Sequence, residues 1–169
     1  MTFTAEEANS TVGLFATGSP TTSGLQYRTS TDSKFTAYTI NTVITLTNVG
    51  DYVQFRNTEN TLSTSSRNYV QFGMIGKIAA RGNIQSMLND SDSCNEYCYY
   101  HMFEGCKQLT KAPTLAATKL ASYCYAGMFT ACALTQAPAL PATTLAHGCY
   151  SYMFNGCASL TQAPELPAT

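Results

Sequence analysis

Cys94, Cys98, His101 and Cys106 are the residues of this chain best suited by type to chemistry, because thiolate and imidazole are ligands of tetrahedral zinc. Their spacing lacks a Cys-x-x-Cys knuckle, and two later stretches repeat the pattern with Gly127 and Tyr152 where His101 stands. The cysteines themselves recur as columns. Cys98, Cys124 and Cys149 form one, Cys106, Cys132 and Cys157 another, and Cys94 takes the place of Leu120 and Leu145. A residue that alternates with leucine behaves as a small hydrophobe, and free cysteine is among the most buried residue types. The seven cysteines are therefore expected as buried free thiols, with no metal and no other cofactor. Disulfides across Cys98/Cys106, Cys124/Cys132 and Cys149/Cys157 are the competing arrangement. Helical residues between them would separate each pair by about 12 Å, beyond the roughly 7 Å limit for bridged Cα atoms.

Catalysis finds no other footing. His101 and His147 are the only histidines, and neither has a nucleophile and a carboxylate beside it in sequence. Ala80-Arg81-Gly82-Asn83 is too short for a phosphate-binding glycine loop. The expectation is a protein that is not an enzyme and has no catalytic residue. Binding is better represented. Tyr99, Tyr125 and Tyr150 share one repeat position and Tyr152 lies beside the last of them. Tyrosine gives a large contact area at low entropic cost, so these four are candidate contacts for sugar rings or a protein partner. Half-buried packing is the alternative reading of the same column. Thr110, Thr135 and Thr161, with Lys111, Gln136 and Gln162 beside them, form a second candidate, an uncharged hydrogen-bonding row.

These residues must be positioned by a repeat. Its copies start at Cys98, Cys124 and Cys149, 26 and then 25 residues apart, the missing residue falling between Cys132 and Leu134. A period in this range marks units that bury their apolar faces on their neighbours. Met102, Met128 and Met153, and Phe103, Phe129 and Phe154, are the expected buried columns. Within the first copy Cys94, Cys98, Met102 and Cys106 recur at intervals of four, which reads as one face of a helix. Ser93 with Glu96 fits a capping box at its start, and Gly105 and Gly156 fit helix-ending glycines. Very short strands are expected at Leu109, Leu134 and Leu160, limited by Pro113, Pro138 and Pro164.

Met102-Phe103-Glu104-Gly105-Cys106-Lys107-Gln108-Leu109-Thr110 and Met153-Phe154-Asn155-Gly156-Cys157-Ala158-Ser159-Leu160-Thr161 resemble the BspA-type leucine-rich repeats. These are bacterial surface repeats built on Met-Phe-x-Gly-Cys-x-Ser-Leu-Thr. The resemblance covers about residues 91 to 169, with Ala131 replacing glycine in the middle copy, where a local kink is expected. It implies a right-handed solenoid and a role in adhesion or partner binding. Such repeats also occur in phage-borne proteins.

Residues 1–90 lack the repeat and read as β-structure. Short runs rich in β-branched and aromatic residues, such as Phe35-Thr36-Ala37-Tyr38-Thr39-Ile40 and Tyr52-Val53-Gln54-Phe55-Arg56, are separated by Gly, Pro, Asn and Asp turns. Ile84-Gln85-Ser86-Met87-Leu88 suits a short helix leading into the repeats. The expected fold class is thus α+β. A small β-sandwich-like domain over residues 1–90, capping or attaching, precedes a leucine-rich-repeat solenoid of about three repeats over residues 91–169. Leu166-Pro167-Ala168-Thr169 matches Leu140-Pro141-Ala142-Thr143, so the solenoid reads as truncated in mid-repeat.

Charge narrows the partners. Only 11% of residues are charged and the net charge is −1, which leaves no footprint for nucleic acid. No stretch approaches the roughly 20 apolar residues of a membrane span, and Met1 to Glu7 does not read as a signal peptide. The expected function is a non-enzymatic binding or adhesion module contacting a protein or glycan partner, at a bacterial cell surface or on a phage particle. A purely structural virion or appendage component is the rival reading, and homo-oligomerisation or assembly into a larger particle is compatible with either.

Overall fold

The computed structural model describes residues 1–167; the Ala168-Thr169 end of the repeat match lies outside the described residues. Nine strands form two sheets. They are β1 (Thr2–Ala5), β2 (Ser10–Thr17), β3 (Leu25–Thr29), β4 (Thr36–Ala37), β5 (Val43–Leu46), β6 (Tyr52–Asn57), β7 (Tyr69–Ile75), β8 (Ile78–Arg81) and β9 (Leu109–Lys111). One sheet has the order β4-β3-β6-β1-β8-β9 and the other β5-β2-β7. All pairings are antiparallel except β8 with β9. Alternation builds the strands: in β6, Val53 and Phe55 are buried while Gln54 is half-buried and Arg56 exposed. Inward rings from both sheets meet, with Phe3 4.6 Å from Phe72 and Phe55 5.5 Å from Phe72 between ring centroids.

The α+β solenoid expected from the repeats is overturned. The described residues contain no α-helix; their one helical element is a 3-10 helix, Ile84–Leu88, capped by the Asn83 side chain. Each stretch expected as a helix is instead a ribbon of four-residue turns. In the first copy the amides of Cys98, Tyr100, Met102, Glu104 and Cys106 donate to the carbonyls three residues back. Tyr97, His101 and Gly105 have φ of 57°, 54° and 72°, the left-handed third position of a type II turn. The second copy repeats this at Tyr123, Gly127 and Ala131, and the third at Gly148, Tyr152 and Gly156. A left-handed residue at every fourth position forbids an α-helix, and it also explains the spacing. A helix drifts and needs intervals of three among its fours, whereas successive turns return the same side chain inward every fourth residue. The capping box at Ser93 has no helix to cap; Ser93 pairs in parallel with Lys119.

Two further expectations change. Only the first of the three short strands forms, as β9, while Leu134 and Leu160 lie outside strands. Ala131 causes no kink, because it holds φ at 57° close to the 72° of its counterparts Gly105 and Gly156 and keeps its cross-unit bond to the Asn155 carbonyl.

The three turn ribbons lie against one another through alternate amides. Tyr99, His101, Phe103 and Gly105 donate to carbonyls of the second ribbon, and Tyr125, Gly127, Phe129 and Ala131 donate to carbonyls of the third. The intervening amides close the local turns, so nearly every backbone donor in the first two ribbons is used. Inside, Phe103 stacks on Phe129 at 5.4 Å and Phe129 on Phe154 at 5.8 Å. The N-terminal sheets supply the next member of this column. Phe72 of β7 stacks on Phe103 at 5.3 Å, and its amide donates to the Met102 carbonyl at 2.8 Å.

Candidate functional site

The cysteine columns have a structural task. The thiols of Cys106, Cys132 and Cys157 donate to the carbonyls of Phe72, Phe103 and Phe129, at 3.1, 2.9 and 3.0 Å. Each contact ties one layer of the column to the layer before it. Cysteine fits because it is apolar enough to bury yet carries a weak donor, which alanine or leucine lacks. All seven cysteines are buried free thiols, and burial pushes the Cys106 thiol up to about 12. The helical distance argument against bridges does not apply, since these residues are not helical; thiol direction replaces it. Cys98 points to the Cys124 carbonyl, not to Cys106. His101, offered as a zinc partner, pairs through Nδ1 with the Glu104 carboxylate.

The tyrosine column is not a surface. Tyr99 and Tyr125 are buried and stack at 5.4 Å, and Tyr125 stacks on half-buried Tyr150 at 5.9 Å. Tyr99 and Tyr125 are therefore core, which removes two of the four tyrosines proposed as contacts. The Tyr99 hydroxyl donates to Oε1 of Gln85 at 2.8 Å, whereas the Tyr125 hydroxyl is the one buried side-chain oxygen or nitrogen among the described residues without a partner. Tyr152 is 78% exposed.

The threonine and glutamine row divides. Thr135, Gln136, Thr161 and Gln162 line one depression of about 550 Å³ with Pro138 and Pro164. Thr110 is not part of it; its hydroxyl donates to Glu6 Oε2 at 2.7 Å. Thr161 is partly used as well, donating through Oγ1 to the Thr135 carbonyl at 3.3 Å.

The outward-facing aromatic surface lies on residues that the repeat columns do not reveal. Tyr69 of β7 meets Tyr100 edge-on at 5.3 Å, Tyr100 meets Tyr97 at 5.5 Å, and Tyr97 stacks on Tyr123 at 5.1 Å. Tyr123 then meets His147 at 5.2 Å, and Nε2 of His147 lies 2.9 Å from the Tyr123 hydroxyl. His101 joins at 4.0 Å from Tyr100. The result is one partly exposed strip running from β7 across all three ribbons. Tyr97 and Tyr123 cover each other's faces and the remaining contacts are edge-on or tilted, so the strip offers ring edges, hydroxyls and imidazoles to a partner.

Backbone geometry marks part of this strip. Tyr97, His101 and Tyr123 occupy left-handed positions, where a bulky side chain costs roughly 1–2 kcal/mol. Glycine stands at equivalent positions and gives way to the rings. A Cβ at Gly127 would lie 2.6 Å from Nε2 of His101, and one at Gly148 would lie 2.5 Å from Cε1 of Tyr123. Each ring thus leans over the next ribbon. The available sequence signal was Tyr97 and His101, four residues apart between the buried cysteines and methionines of the first copy, with Tyr123 at the same repeat position as Tyr97.

No family model, curated protein or solved structure matches the chain.

Proposed function

We propose that the chain is a non-enzymatic binding module whose partner, a protein or a glycan, is met by the strip of Tyr69, Tyr100, Tyr97, Tyr123 and His147. The observation that carries this reading is the placement of two of these rings, Tyr97 and Tyr123, at a left-handed position that Gly148 fills in the third ribbon. Strained residues persist where the surroundings over-determine them, and they cluster at functional sites. The depression lined by Thr135, Gln136, Thr161 and Gln162 supports the same class of partner, one recognised by neutral hydrogen bonding. The similarity of the Met-Phe-x-Gly-Cys segments to bacterial surface repeats supports a bacterial surface or phage-particle setting.

A glycan array and capture from bacterial surface extract, each with the whole chain, test the reading. Binding should be lost or at least tenfold weaker when Tyr97 and Tyr123 are both replaced by serine, and it should change little between low and moderate salt. Charge-driven association would instead weaken steeply as screening rises. Retention of full binding by the double variant would overturn the assignment to the strip.

A further inference from the structure

Two of the chain's four arginines meet at a single ring. β3 and β6 pair so that Gln26 lies opposite Arg56 and Arg28 opposite Gln54. Alternation turns Tyr27 and Phe55 towards the core, so these four side chains share the outer face of the sheet. Each arginine is clasped by the glutamine across from it. Nε of Arg28 donates to Oε1 of Gln54 at 2.6 Å, and Nε of Arg56 donates to Oε1 of Gln26 at 2.9 Å. Gln54 is held in turn, donating through Nε2 to Oγ1 of Thr2 at 3.1 Å. Both guanidiniums lie over the half-buried ring of Phe35, just before β4, their Cζ atoms 4.9 and 4.1 Å from its centroid. Attraction to the ring thus brings two like charges together. Among the described residues neither meets a carboxylate; the ion pairs there are His101–Glu104 and Lys119–Asp92. Asp32, the acid nearest to Arg28 in sequence, is held instead by the amide and hydroxyl of Thr29.

We propose that this face binds an acidic polysaccharide, with Arg28 and Arg56 receiving its carboxylate groups. With Nε engaged, the terminal N–H groups of each fork are left to pair with a planar carboxylate. The glutamines and Phe35 already hold both forks, so little side-chain freedom is lost on binding. An anion also relieves the repulsion between the two cations. The amides of Gln26 and Gln54 and the hydroxyl of Thr2 surround the pair with neutral hydrogen-bonding groups that suit sugar hydroxyls. The exposed large apolar residues all lie off β1, β3 and β6. The face therefore lacks the buried anchor on which affinity for a protein partner mostly rests. Two cations are also too few for a nucleic acid, whose binding grows with the number of phosphates neutralised. The site shares no residue with the tyrosine strip and stands or falls separately from it.

The probe is polygalacturonate, titrated into the whole chain by calorimetry at low salt, with neutral dextran as the blank. Replacing Arg28 and Arg56 together by glutamine should weaken binding at least tenfold. Replacing Arg67 and Lys77 by glutamine removes the same charge elsewhere and should change binding less than twofold. Arg28→Lys with Arg56→Lys keeps both charges but not the forks, and should weaken binding at least threefold. Unshifted amide NMR signals of Phe3 and Phe72, in the core beneath, check that each variant keeps its fold. Binding should also weaken as salt rises, because exposed charges are screened. Absence of polygalacturonate binding, or full binding by either double arginine variant, would overturn the proposal. Poly-glutamate bound as tightly would overturn it in favour of an acidic protein partner.

Discussion

Two tyrosines in one column differ by a single hydrogen bond, and that difference is measurable. The Tyr99 hydroxyl reaches Gln85 and the Ile84 carbonyl, while the Tyr125 hydroxyl is buried without a partner. An unmade buried hydrogen bond costs about 1–3 kcal/mol and a made one contributes about 1 kcal/mol. Tyr125→Phe should therefore raise stability by about 1 kcal/mol, and Tyr99→Phe should lower it by about as much, as read from urea unfolding. Equal effects of the two substitutions would contradict the assigned partners. Ala131 offers a second test, because it holds a left-handed conformation in which Gly105 and Gly156 stand elsewhere. Relief of roughly 1–2 kcal/mol of strain outweighs the roughly 0.5–1 kcal/mol entropic cost of glycine, so Ala131→Gly should stabilise slightly. The thiols set a pH dependence. The folded state raises the Cys106 pKa from 9.0 to about 12, so it holds that proton more tightly than the unfolded chain does. The contribution is complete below about pH 9 and is lost as pH rises towards 12. Urea midpoints should fall across that window, and Cys106→Ala should flatten the fall.

At the scale of elements, the column Phe72, Phe103, Phe129 and Phe154 joins β7 to three turn ribbons that have no regular secondary structure of their own. Phe103 and Phe129 are fully buried between neighbours, whereas Phe154 has a neighbour on one face only. Phe129→Ala should cost about 3–5 kcal/mol, as other large core truncations do, and Phe154→Ala distinctly less. Similar losses at both positions would contradict the one-sided packing of Phe154. The strands of the N-terminal part were largely legible because alternation marks them, as at Tyr52-Val53-Gln54-Phe55 and Tyr69-Val70-Gln71-Phe72. β1 and β8 carry no such signal: Thr2–Ala5 is short, and Ile78–Arg81 is buried at three successive positions and shows no alternation. The ribbons read as helices in the sequence because a strict interval of four lies close to the 3.6-residue period.

At the scale of the molecule, a single buried cluster runs from Met1, just before β1, to Cys157 in the third ribbon. Phe3 and Phe103 come within 6.1 Å across the junction. The two compositional halves should consequently unfold together. Calorimetry should give one transition with matching calorimetric and van't Hoff enthalpies; two resolved transitions would show that residues 1–90 and the repeats fold independently.

The sequence by itself determined the repeat, its register and the buried identity of the cysteine and methionine columns and of Phe103 and Phe129, because these follow from side-chain type and spacing; Phe154, expected to be buried with them, is only half-buried. It also determined the neutral surface, which depends only on composition. Tertiary structure decided the rest. Whether a four-residue interval is a helix or a chain of turns depends on backbone angles, and Tyr97, His101 and Tyr123 take left-handed values that their identities disfavour. Those angles alternate amides between local turns and the neighbouring ribbon, and they turn Tyr99 and Tyr125 inward while Tyr97 and Tyr123 face out. Adjacent tyrosines of one type were indistinguishable in sequence, and only the direction of the backbone beneath them separated core from surface.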